Sequence, residues 1–219
     1  QFDELYGYLI KTCTREGDTL VTKDGLRIFT GMETDIAEGG HILSIGTPED
    51  ILELNARLEP YKEEENYLPF EKLMDLFDEY PVIVGGAHPY REGVHTAELP
   101  IEQLKRLHFF DLNGKDVAFD RAYYEEATST LAKKVNIPMV SGSDTHQAAQ
   151  YGCIYTKFTK TVKTVEELHS EIKKGDYEIV VADKVSFQVR TAGLVKKALK
   201  EIHALGGDYI SVLTSPGLE

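Results

Sequence analysis

From Phe70 to Val181, short apolar runs alternate with segments of helical period, and no other feature of the chain constrains the fold as strongly. Phe70, Leu73, Met74 and Phe77 recur at i, i+3, i+4 and i+7, which predicts an amphipathic helix over Phe70–Tyr80. Pro81-Val82-Ile83-Val84 then reads as a buried strand. Helix over Ile101–Leu107, strand over Phe109–Leu112, helix over Arg121–Val135 and strand over Ile137–Val140 follow. Thr164–Lys173 reads as a further helix, Tyr177–Val181 as a strand and Ala192–Ala204 as a last helix. Upstream, Leu26–Glu33 and His41–Ile45 read as two strands joined through Gly39-Gly40, and Pro48–Leu58 reads as a helix. Alternation of this kind predicts an α/β fold, a parallel sheet or barrel with helices outside. In such folds chemistry gathers at the carboxyl ends of the strands.

Length and composition narrow the class. The 219 residues suit one domain, with an atypical segment over 1–25 and a loose tail over 205–219. No apolar run reaches the roughly 18–20 residues of a membrane span. The formal charge of −13 argues against a general nucleic-acid binder, yet suits metal cations held by a few focused carboxylates. Two distant cysteines, Cys13 and Cys153, exclude a disulfide framework and fit a reducing, cytoplasmic setting. The chain opens on Gln1 without a signal-peptide pattern, which suggests processing or a piece of a longer protein.

Metal-type ligands stand at the strand ends. Glu33 follows the first strand, His88 follows Val84-Gly85-Gly86-Ala87, and Asp144 and His146 follow Met139-Val140-Ser141-Gly142-Ser143. His41 opens the second strand of the expected hairpin. With a turn centred near Ala37, Glu33 and His41 would sit directly opposite each other. Asp144 and His146, two apart, would point to one side of an extended chain. Imidazole and carboxylate together suit Zn, Mn or Fe. Any one of these residues alone has an ordinary explanation: a strand-end Glu, a half-buried core His, a loop His. No Gly-x-Ser-x-Gly elbow, Walker loop or dinucleotide fingerprint is present, so serine hydrolases and nucleotide-transfer classes drop out.

Gly31-Met32-Glu33, His41-Ile42-Leu43, Ala87-His88-Pro89 and Gly142-Ser143-Asp144-Thr145-His146, in that order, resemble the PHP (polymerase and histidinol phosphatase) superfamily. Phe110-Asp111-Leu112-Asn113-Gly114-Lys115 and Gly152-Cys153-Ile154-Tyr155-Thr156 extend the resemblance, which runs from about Leu26 to about Ile179. It implies a distorted (βα)7 barrel and metal-dependent hydrolysis of phosphoesters: small phosphate esters, nucleotides or short oligonucleotide ends. It implies Glu33 as a bridging carboxylate and His41, His88, Asp144 and His146 as further ligands to one to three divalent transition-metal ions (Zn, Mn or Fe). Arg91 and Arg121 would meet a substrate phosphate. The family's opening His-x-His and following Asp-His have no counterpart in Gln1–Thr22. The resemblance therefore implies a barrel incomplete at its N-terminus, its open edge closed by another segment or by a second copy of the chain. Two other readings follow from the same residues: a degenerate PHP-like binding or assembly domain, or fragment of a larger enzyme, without catalysis; and an amidohydrolase-like barrel.

Overall fold

The protein is described by a computed structural model, which covers residues 2–208. The chain opens with helix α1 (Phe2–Thr12) and a small antiparallel meander of β1 (Thr14–Glu16), β2 (Thr19–Val21) and β3 (Arg27–Ile28). Strands β4 (Thr30–Ile36) and β5 (Gly40–Gly46) form the expected hairpin. Gly39 at φ 81° takes the left-handed place in a three-residue turn, a place that favours glycine. The turn therefore centres one residue later than expected. Asp35, not Glu33, pairs with His41, and Glu33 pairs with Leu43.

Helix α2 (Pro48–Leu58) begins where Thr47 accepts a hydrogen bond from the Asp50 N–H, with Pro48 in the first turn. Helix α3 (Phe70–Phe77) buries Phe70, Leu73, Met74 and Phe77, the stripe its period predicts. There follow β6 (Ile83–Gly86), the single helical turn α4 (Ile101–Leu104) and β7 (Phe109–Asn113). Helix α5 (Gly114–Val135) is broken at Asp120, whose φ of −147° and ψ of 89° are not helical. Asp120 accepts a hydrogen bond from the Tyr123 N–H and so caps the second segment, which is the helix read from the sequence. The chain continues through β8 (Met139–Gly142), β9 (Ile154–Phe158), α6 (Val165–Lys174), β10 (Tyr177–Val181) and α7 (Val185–Ala204). Of the expected tail over 205–219, residues 209–219 lie outside the described part.

The expected (βα)7 barrel is not what forms. The main sheet has five strands in the order β4-β5-β6-β7-β8, antiparallel from β4 to β6 and parallel from β6 to β8. The ladder stops at β8. The Ser141 N–H donates to the Thr156 hydroxyl at 2.7 Å, and that hydroxyl donates to the Ser141 carbonyl at 3.1 Å, so a side chain stands where the backbone ladder to β9 would run. Strand β9 pairs instead with β10, antiparallel, as a separate ribbon.

The sheet is covered on both faces. Ile42 and Phe110 meet α2 and α3 on one side, while Ile83, Phe109 and Val140 meet Val165, Leu168 and Ile172 of α6 on the other. Asp18 ties the N-terminal meander in, accepting from the Val165 N–H at the start of α6 at 2.9 Å. No helix among the described residues is long and apolar enough to cross a membrane.

Strand β6 depends on glycine for its fit. A Cβ on Gly85 would fall 2.2 Å from the Phe109 ring. Gly85→Ala therefore lowers stability by about 1–3 kcal/mol, read as a drop in the urea midpoint at unchanged slope. An unchanged midpoint would show that Phe109 moves aside freely.

Candidate metal centre

Strands β4, β5 and β6 deliver three ligand-type side chains to one place. Glu33 and His41 are two positions off direct opposition, so they keep the same face of the hairpin. His88 arrives two residues beyond β6, where Ala87 still donates to the His41 carbonyl at 3.0 Å. The backbone of His88 sits at φ 30°, a conformation that costs a non-glycine residue about 1–3 kcal/mol.

One carboxylate oxygen lies between two imidazoles. Glu33 Oε1 is 2.5 Å from His41 Nδ1 and 3.2 Å from His88 Nε2. The two rings meet edge to face with centroids 4.8 Å apart. His41 turns its other nitrogen, Nε2, toward Asp35 Oδ1 at 3.3 Å. Hydrogen bonds from His41 and His88 hold the Glu33 carboxyl far below the usual carboxylate range, and Glu33 raises His41 in return. The Nδ1 atom of His88, a side chain 2% exposed, is buried without a hydrogen-bond partner among the described residues.

These residues fit a divalent ion. Among the described residues, Glu33, His41 and His88 form the group whose ligand atoms all lie within 4.8 Å of one another. Two imidazoles and a carboxylate make a donor set used for catalytic zinc, in which a fourth position is left for water or substrate. His88 turns Nε2 toward the same Glu33 oxygen that His41 Nδ1 approaches, so an ion shared by the three would meet that nitrogen.

Asp144 and His146 form a neighbouring arrangement rather than part of that group. Asp144 has φ 50°, so the chain is not extended there, yet His146 Nδ1 still lies 3.5 Å from Asp144 Oδ1. His146 Nδ1 faces the Asp144 carbonyl oxygen at 3.0 Å, and its side chain is half exposed. Arg91 Nη1 pairs with Asp144 Oδ2 at 3.0 Å, and Arg91 Nε donates to Asp116 Oδ1 at 3.1 Å. Arg121, by contrast, bonds Glu125 one turn along its own helix at 3.0 Å and stays exposed.

Three acids near these residues escaped the sequence reading. Asp35 backs His41, Asp116 anchors Arg91, and Asp111 lies buried in β7. Asp111 stands inside the Phe110–Lys115 segment, so its place at the end of an apolar strand was the available signal. Burial raises its carboxyl to about 7, and the nearby Asp144 charge adds to the effect, against a hydrogen bond from Asn113.

Comparison with known proteins bears on this geometry. Residues 127–177 match the PHP_C family model, described as PHP-associated, which covers less than half of the chain. The crystal structure of PsfC from Pseudomonas syringae PB-5123 superposes with a TM-score of 0.64 at 18% identity, over 82% of this chain and 69% of that one. Endonuclease Q, in complex with a 27-mer duplex substrate carrying an abasic lesion at its active site, gives 0.58 at 16% identity, over 80% and 47%. The lesion-specific endonuclease PfuEndoQ from Pyrococcus furiosus gives 0.57 at 18%, over 80% and 46%. The chain shares the fold of these proteins. It spans 69% of the PsfC chain and under half of either endonuclease chain. Residues 127–177 thus support a PHP-associated family, and the neighbours carry the shared fold. No curated protein matches the chain.

Asp111 makes the site's stability pH-dependent. Its folded value lies above the ordinary 3.8, so between about pH 4 and 7 the folded chain keeps a proton that the unfolded chain has released. Its contribution to stability therefore falls as pH rises through that window. Asp111→Asn, which cannot ionise, should gain on the parent by roughly 1.4 kcal/mol per pH unit there. Urea unfolding at pH 4.5 and pH 8 measures it; a gap that does not widen with pH would refute the burial argument.

Proposed function

We propose that the chain is a PHP-type domain that hydrolyses a phosphoester with the help of a divalent transition metal (Zn, Mn or Fe) held by Glu33, His41 and His88. The observation that carries this reading is the convergence of those three side chains from separate strands around one carboxylate oxygen. The PHP-associated match and the shared fold support it. An ion bound there supplies Lewis acidity toward a phosphoryl oxygen and toward the water that attacks phosphorus.

The chain's own residues supply the rest. Glu33 brings negative charge to the centre, and Asp35 at His41 Nε2 orients that ring so that Nδ1 faces inward. Arg91 is the residue proposed to meet the substrate phosphate. Its guanidinium is fixed by Asp116 and Asp144, and its Nη2 is buried with no hydrogen-bond partner among the described residues. Asp144 and His146 remain proposed ligands for a further ion, and Arg121 is left at the surface by its pair with Glu125. The substrate class is a small phosphate ester, a nucleotide or a short oligonucleotide. The unpaired Cys13 and Cys153 support a reducing, cytoplasmic setting. The edge of β4, which pairs with no further strand among the described residues, supports addition of a strand from a second copy.

One observation favours a second reading, a PHP-like binding domain without turnover. Arg91 occupies the Asp144 and Asp116 carboxylates, which an additional ion would need. Hydrolysis of bis-p-nitrophenyl phosphate and p-nitrophenyl phosphate decides between the two. We expect turnover that EDTA abolishes and added Mn or Zn restores, with Glu33→Gln and His88→Ala each losing about 100-fold or more in kcat/KM. No turnover with any of the three metals, or full turnover in Glu33→Gln, would remove the hydrolytic reading.

A further inference from the structure

Helix α7 is long for what it buries: of its 20 residues only Ala192 is buried. Its inner face is accounted for. Val189, Ala192 and Lys196, at i, i+3 and i+7, line a cleft toward Arg91 and His146. Ser186 Oγ donates to the Ala118 carbonyl at 3.0 Å, and Gln188 Nε2 donates to the Ala149 carbonyl at 3.1 Å, which fixes the start of the helix against the body. The opposite face lies open. Phe187, Leu194 and Leu205 stand there 69%, 70% and 86% exposed, with Thr191 and Ala198 between them. Leu205 still belongs to the last turn, since its N–H donates to the Glu201 carbonyl. Positions 187, 191, 194, 198, 201 and 205 alternate steps of four and three, the spacing of a seam between paired helices. The seam is about 27 Å long at 1.5 Å per residue. A scattered exposed Leu is ordinary, but a continuous apolar stripe marks a contact surface.

The stripe is complementary to itself. It reads Phe187, Thr191, Leu194, Ala198, Glu201, Leu205, and turned end for end about Lys196 it falls on its own pattern. Leu194 then meets the small Ala198 of a second copy, Phe187 meets Leu205, and the Thr191 hydroxyl meets the Glu201 carboxylate. Arg190 comes beside that same Glu201. Arg190 and Glu201 are both exposed, and neither makes an ion pair among the described residues. They lie 11 residues apart, about 16 Å along one helix, too far to pair within it. On the other flank Val195 meets Val195. Lys197 meets its own counterpart at the rim, where solvent screens the repulsion. A parallel pair would instead set Glu201 against Glu201 and Ala198 against Ala198, opposing like charges and leaving a gap in the seam. A two-fold contact requires a surface that fits itself, and this one does.

We propose that this face of α7 pairs, antiparallel, with the same face of a second copy of the chain. The contact is separate from the β4 edge and does not depend on the hydrolytic reading.

Sedimentation velocity on the full chain over a concentration series tests it, with circular dichroism to confirm that each variant keeps its helix content. We expect a dimer. Leu194→Glu should weaken association at least about 100-fold, because the change falls on both sides of the contact. Arg190→Glu and Glu201→Arg should each weaken it at least about fivefold, and the double variant should restore it. The two positions cannot compensate each other within one helix, so restoration reports the antiparallel register. A monomer at every concentration would overturn the proposal. So would a dimer that Leu194→Glu leaves intact, which would place the contact at the β4 edge. Monomers that become dimers once residues 209–219 are removed would assign the seam to that tail and overturn it as well. Single charge variants that the double variant fails to rescue would overturn the antiparallel pairing.

Discussion

Glu33 Oε1 lies within hydrogen-bond reach of two imidazoles, and much of the molecule is arranged to make that contact. It needs the β4–β5 turn at its observed length, since a one-residue slip would carry Glu33 to the other face of the sheet. It needs β6 to run beside β5 and then to bend at His88 into a backbone conformation that non-glycine residues avoid. Close approach at Gly85 and the packed core beneath β6 fix that strand. A strained His88 is a cost that packing alone does not explain, and a cation held at its Nε2 would offset it.

Charge organises the rest of the site. The chain is strongly acidic, which suits a cation and opposes an anionic ester. Arg91 sets one cation there, lying across Asp116 and Asp144 and lining two clefts beside α7. The same pairing keeps Asp144 neutralised by a neighbour, so the structure divides the five expected ligands into a converged three and a separate two.

Much of this was legible in the sequence, and the misses have physical causes. Helix α2 was read to its ends because cap, first-turn proline and apolar spacing agree. The first segment of α5 was missed because Asn113-Gly114 reads as a turn, when Asn113 is a cap accepting from Lys115. Strand β9 was hidden in a motif read for its chemistry, and α1 exposes Leu5 and Ile10, so its apolar residues gave no clean stripe. The barrel was implied by resemblance, and periodicity could not show that a threonine hydroxyl interrupts the ladder beyond β8. At the site, Glu33 and His41 survive an error of one residue in the turn centre because positions two apart share a face. Asp144 and His146 also stay together, His146 Nδ1 lying 3.5 Å from Asp144 Oδ1, although a positive φ at Asp144 ends the extended chain from which that pairing was inferred.

The central claim is that Glu33, His41 and His88 hold a metal ion together. Anomalous diffraction from crystals of the protein soaked in Mn or Zn tests it most directly. The account predicts one strong peak within bonding distance of all three side chains. A peak held by Asp144 and His146 without them, or none in a crystal that scatters well at the metal edge, would contradict it.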